Sequence, residues 1–350
     1  MFRPKFDVSL CANCPTSDCL IKCQYMSVNR ETARNEMIKI ADGQESFVLH
    51  NCATCYNCEE YCTFGNHPFY LICERREEKG ILTASRPITN QWRYMTEPKG
   101  PGDVEGRQYE VGEVKEKAIS LCAMEELKKL SKGKLFEDLG TSYVFGLEFF
   151  CQVVHLHFAK PSIIKERLPR IIENIKRLGI KQLICLHDEC YGSFASLAPA
   201  YGMDVPFEPV HYYEYLYDRL LELKNDIKPL NIRVAYQRNC SARLSPDKHR
   251  FVNVIFALIG VELAERTYQG ENALCCGGII IDTAGPETGF GVQEKNVDDM
   301  VRSGAQFCVF NCPACQMILS EKVYMRGIKP IHMIDLCNMA IGEKQSTEED

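Results

Sequence analysis

The sequence is short of several features that mark common functional classes. It has no large charge excess, with 41 Lys and Arg against 47 Asp and Glu. A formal net charge of −6 and a pI near 5.9 give no reason to expect a basic face for nucleic acid or anionic lipid. Long apolar runs are missing as well. The most apolar stretch, residues 143–158, contains Glu148, His155 and His157 and is too short to cross a bilayer comfortably. Met1 to Lys5 leads toward Cys11 without the apolar core of a secretory leader. No nucleotide loop is apparent either. Gly285-x3-Gly289-x-Gly291 follows no strand-like run and precedes no P-loop lysine, so these glycines read as the turn after a cysteine loop. Lacking a flavin or nicotinamide site, the chain has no means of its own to take a hydride and split it into single electrons. A partner has to supply that step.

What the chain has is cysteine, 20 in 350 residues. Disulfides and metal are the two explanations. The absence of a leader, the length of the chain and the short clustered spacings favour metal, since a chain this long builds its core without staples. The expected setting is a reducing, anoxic cytoplasm, with any membrane association made through partner subunits.

Composition divides the chain into five parts. Residues 1–82 carry nine cysteines at close spacing. Residues 83–115 read as a linker containing Pro87, Pro98, Lys99-Gly100-Pro101-Gly102, Gly106 and Gly112. From Lys117 onward, strand-like runs alternate with helical patterns, the signature of α/β modules. The strand-like runs include 118–121, 232–236 and 307–310, and the helical ones 168–178, 212–223 and 252–258. A shift of 125 residues aligns Cys151 with Cys276, Gly179 with Gly304 and Cys190 with Cys315 without a gap. With a gap, Cys122 matches Cys240, and Val210-His211-Tyr212 matches Ile331-His332-Met333. The region therefore reads as two copies of one module, 116–228 and 229–342, followed by a polar tail, 343–350. The expected fold is α+β overall: a small helical two-cluster domain, then two α/β modules related by an internal repeat.

Cys52-x2-Cys55-x2-Cys58-x3-Cys62 has the spacing by which bacterial ferredoxins hold [4Fe–4S] cubanes. Cys11-x2-Cys14-x4-Cys19-x3-Cys23 is its partner, with two extra residues in the middle gap. In two-cluster proteins the fourth cysteine of a run ligates the other cluster. One cluster is thus assigned Cys11, Cys14, Cys19 and Cys62, and the other Cys52, Cys55, Cys58 and Cys23. Gln24 and Thr63 stand where a proline usually follows the fourth cysteine. Two four-thiolate zinc sites are the alternative.

Further on, Cys240, the adjacent pair Cys275-Cys276 and the Cys312-Pro313-Ala314-Cys315 motif are separated by 34 and 35 residues. Five thiols from three stretches converge only if the chain folds back on itself, and adjacent thiolates need a cation to neutralise them. This set, followed by Gly277-Gly278, resembles the cysteine-rich CCG domain of the heterodisulfide reductases. With a ferredoxin-like segment ahead of it, the chain resembles their fused HdrD type, and also iron–sulfur subunits of anaerobic glycerol-3-phosphate and lactate or glycolate oxidation. The resemblance implies that Cys240, Cys275, Cys276, Cys312 and Cys315 hold a noncubane [4Fe–4S] cluster that a thiol or disulfide approaches. Gly277 and Gly278 would leave room for that approach. It also implies partner redox subunits, a flavoprotein of the HdrA-like kind or a cytochrome b, and a thiol or disulfide substrate or carrier protein.

The first copy departs from this pattern, with Phe150 and His187 where two ligands should be. Two readings stay open. Cys122, Cys151, His187 and Cys190 hold one further cluster, with Cys185 as a substitute for the histidine, or the site has decayed and its remnants pack the core. Decay is the preferred reading. Cys73, Cys308 and Cys337 lie in apolar runs and read as core residues, and His249 and His332 as surface or capping histidines. Two functions follow. In the first, electrons pass through two cubanes to the noncubane cluster, which reduces a small or protein-borne disulfide. In the second, the chain only relays electrons between a flavoprotein dehydrogenase or electron-transfer flavoprotein and a quinone or bifurcating partner. A zinc-stabilised interaction module is the remote third.

Overall fold

The computed structural model describes residues 6–98, 110–111, 113, 115–124, 126–140 and 142–343. The N-terminal part is a group of short helices. Asn29 caps the helix Arg30–Ala41 by accepting from the Thr32 N–H, and Ser46 caps Phe47–Asn51 through Val48. Ala33, Met37 and Ile40 share one helical face and pack on Leu20, Val48, Leu49, Leu71 and Ile72, forming a small core beneath the cysteine loops.

Among the described residues, nine strands then build two sheets. They are β1 (Glu110–Val111), β2 (Lys117–Ser120), β3 (Tyr143–Phe145), β4 (Gln182–Cys185), β5 (Glu208–His211), β6 (Ile232–Gln237), β7 (Val261–Leu263), β8 (Phe307–Phe310) and β9 (Lys329–His332). The sheet orders are β1-β3-β2-β4-β5 and β7-β6-β8-β9, parallel throughout except for the antiparallel β1–β3 pair. Without β1 the two orders correspond strand for strand, as expected of a duplicated module. The helices Pro161–Arg177, Tyr212–Glu222, Pro286–Arg302 and Met333–Ala340 cover the sheets. Ile119 and Ile184 of one sheet and Val234, Val309 and Ile331 of the other belong to one continuous apolar cluster, so the modules share a core. The architecture is α+β.

Within the stretch read as a linker, Arg86–Met95 is a helix, started by a proline in its first turn. Its Trp92 packs on Phe158, with ring centroids 5.8 Å apart, and its Arg93 carbonyl accepts from Arg167. The Pro- and Gly-rich run 99–109 and residues 344–350 of the tail lie outside the described residues. Among the described residues no helix is long and apolar enough to cross a membrane.

The helical part docks on the second module through a buried ion group. Arg238 Nη1 lies 2.7 Å from both Glu60 carboxylate oxygens, and Arg243 Nε is 3.3 Å from Oε2. Gln24 Nε2 donates to the Asn272 carbonyl at 2.8 Å beside it. Replacing Glu60 with Ala leaves two guanidinium groups buried without their carboxylate, and is expected to cost about 3 kcal/mol of stability. Denaturant unfolding of the metal-loaded chain checks this, and a loss under about 1 kcal/mol would show that the group does not hold the docking.

Candidate metal centres

The eight N-terminal cysteines fall into two neighbourhoods. The Cys19 thiol interacts electrostatically with Cys62, Cys11 and Cys14, so the last cysteine of the second run joins the first run. Cys55 has Cys23 and Cys52 as neighbours. Cys23, Cys52, Cys55 and Cys58 line one cavity, walled by Cys19, Leu20, Tyr25, Tyr56, Phe69 and Ile72. The loops wrap tightly because non-glycine residues take left-handed backbone, Ser17 at φ 56°, Thr54 at 54° and Tyr56 at 66°. Backbone amides turn toward sulfur: Ser17 N–H donates to Cys14 Sγ at 3.3 Å and Asn66 N–H to Cys62 Sγ at 3.2 Å. Burial pushes the Cys11 thiol up to about 11, outweighing the Asn66 hydrogen bond that pulls it down. A thiol in that state ionises only with a cation to replace the proton, as metal ligation provides. The residues therefore fit iron–sulfur ligation.

The five cysteines of the second module converge at the C-terminal ends of β6, β7 and β8, where ligands gather in parallel sheets. Cys240 follows β6, the pair Cys275-Cys276 lies beyond β7, and Cys312 and Cys315 follow β8. Their thiols form an open chain of contacts from Cys240 through Cys275, Cys276 and Cys315 to Cys312. Among the described residues, no three of these thiols lie within 4.8 Å of one another. That elongated set suits several metal atoms better than one. Cys312 is the N-cap of the helix Pro313–Met325, where the helix dipole favours a thiolate.

Gly277 also has a packing role in this loop. Its φ is +80°, its N–H donates to Cys275 Sγ at 3.4 Å, and a Cβ there would lie 2.6 Å from the Gly289 carbonyl oxygen. A Cβ on Gly278 would lie 3.0 Å from Ile318 Cγ1. Gly277 is thus required by its backbone and by the close Gly289 carbonyl, whereas Gly278 meets only the Ile318 side chain. Gly289 and Gly291, read as part of a turn, lie inside the helix Pro286–Arg302, and only Gly285 forms the bend before it.

Both ends of the thiol chain meet a histidine of the first module. His187 Nε2 is 3.2 Å from Cys312 Sγ, and His157 Nε2 is 3.6 Å from Cys240 Sγ. His157 Nδ1 lies 2.9 Å from the Thr54 carbonyl oxygen, an acceptor only, so that nitrogen carries a proton. Burial alone would lower the pKa of His187, but the Cys312 and Glu189 charges reverse this and push it up to about 10. It therefore donates to the Cys312 thiolate.

The first module brings Cys122, Cys151 and Cys190 together, their thiols all within 4.8 Å of one another. His187, the fourth member in the further-cluster reading, has its Nε2 at Cys312. The side chain beside the three thiols is Glu189, whose Oε2 is 3.9 Å from Cys151 Sγ. Cys185 takes no part, since its thiol turns to the Leu183 carbonyl. Cys73, Cys308 and Cys337 are fully buried, the first two against the Leu156 carbonyl and Met300. His332 is a buried cap that accepts from the Ile334 N–H, and His211 does the same for Tyr213 in the other copy. His249 is half-buried, and burial lowers its pKa to about 4. The reading of the sequence missed His157, Glu189 and Tyr25. Only the offset of 125 residues, which pairs His187 with Cys312, signalled a contact across the copies.

Residues 234–320 match the family model of the cysteine-rich domain called CCG, a span that includes all five cysteines of the second module. Comparison with curated proteins gives no match. The CCG domain and the density of further thiols assign the chain an iron–sulfur redox role in general terms.

Substituting Gly277 with Ala is expected to lower the iron bound per chain although no cysteine is touched. Gly291→Ala, where a Cβ meets open space, should leave it unchanged. Metal analysis of anaerobically reconstituted protein decides, and equal iron in both variants would refute the packing role of Gly277.

Proposed function

We propose that the chain takes single electrons from a partner redox subunit and delivers them to the five-cysteine centre, where a disulfide is reduced. Cys11, Cys14, Cys19 and Cys62 would hold one [4Fe–4S] cubane, and Cys23, Cys52, Cys55 and Cys58 a second. Cys240, Cys275, Cys276, Cys312 and Cys315 would hold a noncubane [4Fe–4S] cluster. Such clusters supply one-electron storage at potentials set by charge, hydrogen bonds to sulfur and exposure. The net reaction consumes two electrons and two protons and converts one disulfide, small or protein-borne, into two thiols.

The observation that carries this reading is a wall shared by the second ferredoxin-like site and the five-cysteine centre. Tyr25 lines the cavity of Cys23, Cys52, Cys55 and Cys58, and packs against the apolar group that contains Cys275 and Cys276. Its hydroxyl is buried without a protein partner, so it is available to a sulfur acceptor on either side. His157 spans the same wall from the Thr54 carbonyl to Cys240. Arg243, fully buried, interacts with both Cys55 and Cys240 and offsets negative charge on the two sites.

One observation favours the relay reading, in which the chain only passes electrons between a flavoprotein and a quinone or bifurcating partner. The position equivalent to Cys312 in the first copy is His187, so no second five-thiol set faces the first. Thiol dependence separates the two readings. A disulfide reductase is expected to show an electron paramagnetic resonance signal altered by its thiol under mild oxidation. A centre that a reduced flavoprotein reduces but no thiol perturbs belongs to a relay. Metal analysis is expected to give about 12 irons per chain, and zinc in place of iron would sink both.

Removing the His187 hydrogen bond to the Cys312 thiolate should make reduction harder, because an N–H donor stabilises the more negative reduced state. His187→Leu is expected to lower the potential of the five-cysteine centre by about 59 mV for one electron, a tenfold change in its reduction equilibrium. A redox titration followed by paramagnetic resonance measures this. His187→Gln, which keeps a donor, should recover part of the shift, and an unchanged potential in the leucine variant would leave His187 a packing role only.

A further inference from the structure

A groove of about 430 Å³ lies between the helix Arg86–Met95 and the helix Pro161–Arg177, and no cysteine lines it. We propose that it binds a small phosphate-bearing anion, held between the guanidinium groups of Arg93 and Arg167 with Arg170 beside them. The site uses none of the thiols and stands independently of the function proposed above.

Helical spacing builds its two walls. Asn90, Arg93 and Tyr94 stand three and four residues apart on one side of the first helix, and Glu97 follows its C-cap, Thr96. Glu166, Arg167 and Arg170 supply the facing side of the second helix. The volume falls in the range of small-molecule sites, so there is room for a phosphate and for the group it esterifies.

The charge in the groove is the first ground. Arg167 is only 7 % exposed, yet the partners of its guanidinium are neutral. Its Nη1 donates to Thr96 Oγ1 at 3.1 Å and to Gln152 Oε1 at 3.0 Å, and its Nη2 to the Arg93 carbonyl at 2.9 Å. That occupies three of its five N–H donors. The buried Arg238 and Arg266, by contrast, lie 2.7 and 3.3 Å from carboxylate oxygens. Burial lowers the Arg167 pKa more than the Glu97 and Glu166 carboxylates raise it, and Arg93 lowers it further. Burial, Arg167 and Arg93 together push His155, behind them, down to about 3. A buried cation without a close countercharge is unfavourable, and an anion in the groove relieves it.

The second ground is that the donors are already fixed. Thr96 Oγ1 donates to the Trp92 carbonyl at 2.7 Å and lies 2.8 Å from His155 Nε2. Gln152 Nε2 donates to the Thr96 carbonyl at 2.7 Å. The groups that orient Arg167 are thus themselves held, and little ordering is left for a ligand to impose. A planar carboxylate is satisfied by one guanidinium fork, whereas a phosphate offers oxygens to guanidinium groups arriving from two helices. Glu97 and Glu166 disfavour a larger polyanion and suit the hydroxyl or amino groups of the remainder of the ligand. The helix Arg86–Met95 has no buried residue and rests on the first module through Trp92 and the Arg93 carbonyl. An anion bridging Arg93 and Arg167 ties it down.

The test uses the full chain with its iron sites loaded, titrated anaerobically with inorganic phosphate at constant ionic strength. Calorimetry is expected to show about one phosphate per chain, and hydrogen exchange of the amides of 86–95 to slow several-fold as it binds. Arg93→Gln alters an exposed side chain and should weaken binding by about tenfold or more. Glu166→Gln removes a repelling carboxylate and should tighten it. Acetate should neither bind nor protect the helix. No phosphate bound at concentrations up to about 10 mM would overturn the proposal. So would an affinity unchanged in Arg93→Gln, equal binding of acetate, or binding that leaves the exchange of 86–95 unaltered.

Discussion

The structure depends on burying negative charge in bulk. Thirteen cysteines of the expected iron sites and three more of the first module carry thiols that, once ionised, repel one another in a medium of low polarity. Metal must supply most of the compensation, and the protein supplies the rest at selected points. Arg243 is the most telling of these. A fully buried guanidinium is unfavourable alone, and it is held by Glu60 on one side and by the thiols of Cys55 and Cys240 on the others. The ferredoxin-like helices and the second module therefore meet where their charges need each other.

The shared strand order accounts for the rest of the geometry. Two sheets of equivalent strand order place equivalent loops at equivalent strand ends, so each copy gathers cysteines after its first three parallel strands and a capping histidine after its fourth. His187 and Cys312, which occupy the same position in the two copies, touch at 3.2 Å. The pseudo-symmetry relating the modules thus passes close to one end of the five-cysteine centre. A change of residue there acts on both copies at once. The histidine that stands in the first copy at the position of Cys312 donates a hydrogen bond to that cysteine in the second.

Much of this was legible in the sequence because it is local or periodic. The runs at 118–121, 232–236 and 307–310 lie on β2, β6 and β8, and helical patterns such as 212–223 lie on helices. The spacing within each cysteine run and the repeat offset needed no structure to be seen. Contacts between distant segments were not legible, because no motif encodes them. His157 reaches Cys240 across 83 residues and Thr54 across 103, and Arg238 reaches Glu60 across 178. Glu189 was overlooked because the aligned position two residues before it, His187, has the residue type of a metal ligand. The helix Arg86–Met95 was hidden by the prolines and glycines around it, although a proline in the first turn of a helix is favourable.

The ring of His157 also bears on the order in which the molecule comes together. Its acceptor, the Thr54 carbonyl, belongs to the peptide bond that leads into Cys55, and Tyr25 comes from the same N-terminal segment. Two walls of the five-cysteine centre are therefore contributed by residues synthesised long before the cysteines themselves. An isolated C-terminal half would present five thiols with one flank open to water and oxidants. The flank of the five thiols is thus completed by residues from the opposite end of the sequence.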